Sequence, residues 1–190
     1  PLGRPIEARY GIAGKTAIIE MAAASGLPLL KTEERNPWVT STYGTGEMIM
    51  DAISRGCRNF LVGIGGSATN DAGMGMLQAL GFRFYDVNNE LIINGRGGSL
   101  VTITRIDDSQ VPISVKESVF TVACDVDTPF CGPDGAAPVF APQKGADTAM
   151  VERLDKGLKH FSEVLQKSLN TIKGYSDTPG AGAAGGLGFG

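Results

Sequence analysis

The chain has 190 residues, 42% hydrophobic and 19% charged, and a mean hydropathy of +0.02, a balance that supports a packed core and excludes a disordered tail. Its 17 basic and 20 acidic side chains leave a formal net charge of -3, so no basic field exists to hold a nucleic acid backbone or an anionic membrane. Apolar runs stop at about five residues, far short of the roughly 18 to 20 that a bilayer span requires.

In chain order, the weak alternation of Ile6, Ala8, Tyr10 and Ile12, then Gly14-Lys15, then Thr16 to Met21 predicts a β-hairpin. The same stretch is not a phosphate-binding P-loop, because Arg9 stands where that motif needs its first glycine. Pro28, Pro37 and the charged run Lys31 to Arg35 predict a surface loop from Leu27 to Thr40. Ile49, Ala52 and Ile53 fit a short amphipathic helix ending at Gly56, with Thr45 as its N-cap. Asn59 to Ile64 is a continuous apolar run of the kind found in a strand buried on both faces. It empties into Gly65 to Gly73, after which Met74, Leu77 and Leu80 recur at helical spacing. Strand, glycine-rich loop and helix is the order that places ligands at the carboxyl end of a sheet.

A second hairpin is predicted from Phe82–Tyr85 and Glu90–Ile93 around Asn88-Asn89, followed by a glycine-rich turn at Gly95 to Ser99. Ser118 to Cys124 is another apolar run, ending directly in Asp125. Beyond a proline-rich loop, Asp147 or Thr148 caps a helix to about Leu169, with Met150, Leu154, Leu158, Phe161, Leu165 and Leu169 on one stripe and His160 off it, facing solvent. The tract Pro179 to Gly190 is rich in alanine and free of serine, which favours tight backbone packing over a flexible linker. The sum is a single α/β domain over residues 1–190: a mixed, largely parallel sheet with flanking helices and β-hairpin excursions.

Glycine, at 27 residues, is roughly twice its usual share and is clustered, as expected where backbone serves as a ligand surface. Cys57, Cys124 and Cys131 form no Cys-x-x-Cys or Cys/His pattern and read as buried free thiols in a reducing cytoplasm. One histidine disfavours a His-rich metal site or a Ser-His-Asp triad, leaving carboxylates, lysines, hydroxyls and backbone amides for chemistry.

Gly65, Gly66 and Ser67 can turn their amides onto a phosphate or carboxylate at a helix start. Thr69, Asn70 and Asp71 add groups that an anion cradle alone does not need, although Asn70 or Asp71 also suits helix capping. Gly63-x-Gly65-x-x-Ala68 is not a dinucleotide fingerprint, since no ribose-binding acid follows a second strand. Asp125 and Asp127, at a strand end, suit a divalent ion or an alcohol proton, and Lys144 a phosphate; the plainer alternatives are a turn cap and a solvated lysine. Phosphoryl transfer needs parts of this kind, and a phosphate-binding module without chemistry is the alternative.

The strings Gly63-Ile-Gly-Gly-Ser-Ala-Thr-Asn-Asp-Ala-Gly73, Val122-Ala-Cys-Asp-Val126, Pro142-Gln-Lys-Gly-Ala146 and Pro179-Gly-Ala-Gly-Ala-Ala-Gly-Gly186, with Ile19-Glu-Met-Ala-Ala-Ala-Ser-Gly26 and Thr42-Tyr-Gly-Thr-Gly-Glu47, resemble the type I glycerate kinase family. The resemblance spans essentially the whole chain and implies a two-lobed kinase with its site in the cleft. Members of the family are about twice as long, and both ends here look cut, so the chain reads as an internal piece forming one lobe. Its partners would include the missing segments of the same polypeptide, and the piece alone is expected to be inactive.

The implied activity is cytoplasmic, ATP- and Mg2+-dependent phosphorylation of D-glycerate, with 2-phosphoglycerate favoured over 3-phosphoglycerate. By matching motif, the resemblance implies Asp125, Asp71 and Lys144 as catalytic candidates and Gly65, Gly66, Ser67, Asn70 and Gln143 as substrate or phosphate contacts. It assigns no metal ligands. Thr128 stands where many members of the family carry Asn, so no contact is rested on it.

Overall fold

The computed structural model describes residues 1–169, 176 and 178–190. Strands β1 (Gly11–Ala13) and β2 (Thr16–Glu20) form the predicted hairpin, with Gly14 in the left-handed region at φ +62°. After α1 (Ala22–Ser25) the chain makes two 3-10 turns, Leu27–Leu29 and Thr32–Glu34, before α2 (Tyr43–Ser54). Thr45 is therefore not the N-cap of α2. It lies inside the first turn, fully buried, its hydroxyl 2.8 Å from that of Ser25. The helix starts earlier because Thr42, at the capping position, is anchored by the side chain of Asp71, distant in sequence.

β3 (Asn59–Gly63), α3 (Met74–Ala79), β4 (Arg83–Tyr85), β5 (Arg105–Asp107), α4 (Ile113–Lys116), β6 (Val119–Ala123), α5 (Ala136–Phe140), α6 (Thr148–Leu169) and the kinked α7 (Ala183–Gly186) complete the order. The main sheet has the order β1-β2-β3-β6. Its β1–β2 pair is antiparallel, while β2, β3 and β6 are parallel. Ile18, Leu61 and Thr121 share one register row, and Glu20, Gly63 and Ala123 another. Ala17, Ile19, Phe60 and Val62 are buried in one core with Ile49 and Ala52 of α2. The close approach of α2 to α3 requires glycine, since a Cβ on Gly46 would lie 2.5 Å from the carbonyl oxygen of Met76.

Two strand predictions are corrected. β3 is not buried on both faces, because the core lies on one side only and Leu61 stays 39% exposed on the other. The second hairpin keeps its turn but loses its outer arm to a single bridge, Tyr85↔Leu91, and the ladder partner of β4 is β5. Asp86 tightens that turn by accepting from the amides of Asn88 and Glu90, and the Gln78 side chain draws the arm to α3 through the Ile92 carbonyl and the Gly95 amide.

The second core packs Leu154, Leu158, Phe161 and Leu165 of α6 against Phe84, Leu100, Ile103 and Phe130. Asp147 caps α6 by accepting from the Met150 amide. His160 does not face free solvent; it is half-buried, with Nε2 2.6 Å from the carbonyl oxygen of Ile103. Of the thiols, only Cys57 is buried, Cys131 is half-buried, and Cys124, just past the sheet-edge strand β6, is exposed. The final glycine tract packs tightly, as predicted: a Cβ on Gly182 would lie 2.1 Å from the Pro129 carbonyl oxygen. Among the described residues no helix is long and apolar enough to cross a membrane.

Candidate active site

Because β2, β3 and β6 run parallel, their carboxyl ends form one rim carrying Glu20, Gly63 and Ala123 side by side. Beyond β3 the chain exposes Gly65 and Gly66, and beyond β6 it exposes Asp125 and Asp127. A hollow of about 360 Å³ lies against this end of β6, lined by Val122, Cys124, Gly180 and Phe189 among others.

From Ser67 onward the loop after β3 turns inward: Ser67 is 5% exposed, and Thr69, Asn70 and Asp71 are fully buried. Four segments hold it. The Ala68 amide donates to the Ser25 carbonyl and the Leu27 amide to that of Gly66, the Thr40 hydroxyl donates to the Ala68 carbonyl, and the Ala72 amide reaches Gly185. The fourth tie is Lys144, fully buried, whose Nζ donates to the Thr69 carbonyl at 2.6 Å. Burial lowers the Lys144 ammonium to about 7, with the charge of Asp71 opposing that fall.

Asp71 is the tie to α2. Its Oδ2 accepts from the Thr42 amide at 2.8 Å, the Thr42 hydroxyl at 2.9 Å and the Gly75 amide at 3.2 Å, so one carboxylate fixes the starts of α2 and α3. Burial pushes the Asp71 carboxyl above its usual range, and these hydrogen bonds pull it back. Thr69 Oγ1, both polar atoms of the Asn70 amide and Asp71 Oδ1 have no hydrogen-bond partner among the described residues.

The predicted residues thus fall into two groups. Ser67, Asn70, Asp71 and Lys144 belong to the interior of the loop, whereas Gly65, Gly66, Asp125 and Gln143 are exposed. Gln143 and Lys144 are neighbours on the 3-10 turn Pro142–Lys144, one in solvent and one inside. Sequence reasoning passed over two residues. Glu20 lays its carboxylate across Gly63, where an added Cβ would lie 2.6 Å from Oε2 and 2.8 Å from Oε1. A carboxylate closing a strand at the ligand end of a sheet was the signal that could have found it. Thr42, the Asp71 partner, had only its place at the head of Thr42-Tyr-Gly-Thr-Gly-Glu47 to mark it.

Residues 1–190 match the model of the glycerate kinase family from end to end. The chain belongs to the glycerate kinase family. It is 52% identical over 190 residues to glycerate 2-kinase of Escherichia coli K12, covering 99% of this chain and 49% of that protein. It is 50% identical over 192 residues to glycerate kinase of Halalkalibacterium halodurans, covering 100% of this chain and 50% of the relative. A crystal structure of a provisionally named glycerate kinase 2 from Salmonella typhimurium LT2 superposes with a TM-score of 0.94 at 44% identity, over 99% of this chain and 51% of that one. This glycerate kinase family chain therefore spans about half the length of the curated relatives it matches.

Proposed function

We propose that this chain forms one wall of the active site of an ATP-dependent glycerate kinase, and that the 2-hydroxyl of D-glycerate is the favoured acceptor. The observation that carries the reading is the exposed Asp125 past β6, one strand across from the exposed Gly65-Gly66 turn past β3, in a chain with an end-to-end family match. The name glycerate 2-kinase borne by the Escherichia coli relative supports the choice of hydroxyl.

In this reading Asp125 accepts the hydroxyl proton as the oxygen attacks the γ-phosphorus and the bond to the bridging oxygen breaks, leaving ADP. The amides of Gly65 and Gly66 face phosphate oxygens, Ser67 turns the loop inward against Gly26, and Gln143 reaches substrate from the solvent side. Lys144 and Asp71, being buried, are positioning residues: they hold the loop through Thr69 and Thr42. Asn70 fills the same interior.

Among the described residues no group of three or more His, Cys, Asp or Glu is placed to hold a metal ion. A Mg2+ carried by nucleotide phosphates needs only one or two protein carboxylates. Glu20 and Asp127 remain for it at this rim, where it would neutralise charge on the phosphate oxygens.

The test is Asp125→Asn in the full-length polypeptide. The kcat for glycerate phosphorylation should fall by about 10²–10⁴-fold while calorimetric nucleotide affinity stays unchanged. Turnover within roughly tenfold of wild type would remove Asp125 from the role. A wild-type protein that binds nucleotide yet never phosphorylates glycerate would return the site to a phosphate-binding module.

A further inference from the structure

The main sheet is built as if for an interior and is only half covered. Sheets of parallel strands are normally buried on both faces, because their crossover connections lay helices on each side. Here one face carries the core, while on the other Ile18 is 45%, Leu61 39% and Val119 59% exposed, on three neighbouring strands. All five residues of β6 are exposed, including Phe120 at 40% and Val122 at 42%, although Phe120 stacks on Phe60 with ring centroids 4.8 Å apart.

β6 is also the last strand of the sheet, so its outer backbone edge has no ladder partner among the described residues. Edge strands are usually blunted by lysine, proline, a bulge or a charge. Val119-Phe-Thr-Val-Ala123 has none of these, and its composition is that of a central strand. The hollow beside Val122 and Cys124 continues the same bare margin.

We infer that the outer edge of β6 and the Ile18–Leu61–Val119 face are the docking surface for the remainder of a longer polypeptide, which adds a strand beside β6 and a layer over the face. The occupant is fixed by size and shape. Relatives matched along this whole chain are about twice as long, leaving a segment as large as the present one to be placed. A second copy paired edge to edge through β6 would leave Leu61, one strand inward, and Ile18, two strands inward, still bare. A strand added beside β6 also brings the end of another element to Asp125. The inference rests on sheet geometry and not on phosphoryl transfer, so its readout is independent of turnover.

The test uses the full-length polypeptide in single variants Leu61→Cys and Val119→Cys, with Val87→Cys, at a position 81% exposed, as reference. Alkylation, read peptide by peptide by mass spectrometry, should be at least about tenfold slower at the two sheet positions than at the reference, at every protein concentration. Labelling at the reference rate would overturn the inference, and protection that disappears on dilution would give the surface to a second copy instead. Should either variant misfold, hydrogen exchange of the wild-type amides of Phe120 and Val122 decides, since the Val119 amide, and with it the alternate amides of β6, faces β3. Slow exchange at these two in the monomer supports intrachain docking, and exchange as fast as at Val87 overturns it.

Discussion

β3 and β6 lie side by side in one register, both short and apolar and both leading into polar residues. Their exits differ. The loop after β3 is held through Ser25, Thr40, Lys144 and Gly185, and its carboxylate is sealed inside. The segment after β6 leaves Asp125 and Asp127 in solvent beside an edge that no described strand pairs with. A buried carboxylate with three donors is there to set geometry, and an exposed one at a rim is free to meet a substrate. The same residue type thus serves stability at one strand end and, in the function proposed above, chemistry at the next.

That contrast can be broken most directly by stability measurements on the two aspartates. Asp71→Ala strands the Thr42 amide, the Thr42 hydroxyl and the Gly75 amide in the interior, at about 1–3 kcal/mol per unsatisfied group. Urea unfolding should show a total loss of ~3 kcal/mol or more, while Asp125→Ala leaves the midpoint where it was. Equal losses would mean that the two strand ends are not distinct.

Gly185→Ala comes next. At φ +74° and with its Cβ 2.2 Å from the Thr69 carbonyl oxygen, alanine combines backbone strain with overpacking. It should cost about 1–3 kcal/mol in the same assay. Gly65→Ala, with nothing within 4 Å of the new methyl group, should change stability by no more than about 0.5 kcal/mol.

The subtlest effect is a pH slope. The folded Lys144 value of about 7 lies below the 10.5 of the free side chain. Above 10.5 both states are neutral and stability is full. As pH falls toward 7 the unfolded chain takes up a proton that the folded chain refuses, so stability drains away, and below about 7 the loss is complete. Wild type should therefore lose unfolding free energy between about pH 9.5 and 7.5 relative to Lys144→Met, as compared by urea midpoints at both values. Parallel slopes would show that Lys144 is not sealed in.

Much of the fold was legible because periodicity reports local geometry. The hairpin around Gly14, the strand runs at residues 59–64 and 118–124, and the stripe of α6 come from side-chain spacing. The start of α2 was not, because Asp71, distant in sequence, fixes it in place of the local cap Thr45. The outer arm of the second hairpin was lost to Gln78, again a contact between remote positions. Burial of β3 on both faces was misread because apolar composition says what a strand is suited to and not which neighbours cover it. At the site, the motifs marked the glycine-rich loop after β3, but nothing in the spacing of Gln143 and Lys144 says that one of two adjacent residues points outward and the other in.

The Thr42 hydroxyl gives the interior a fixed proton order. It donates to Asp71 Oδ2 while accepting from the Met76 amide, so its hydrogen can lie in only one direction. Oδ2 is thereby fully engaged as an acceptor, and any proton that the buried carboxyl takes up must reside on Oδ1, the oxygen without a partner among the described residues. Asp71 can change its charge without a single one of these hydrogen bonds reversing, yet because the same bonds hold its titration down, each is stronger to the carboxylate than to the acid, and a proton on Oδ1 loosens both helix starts together.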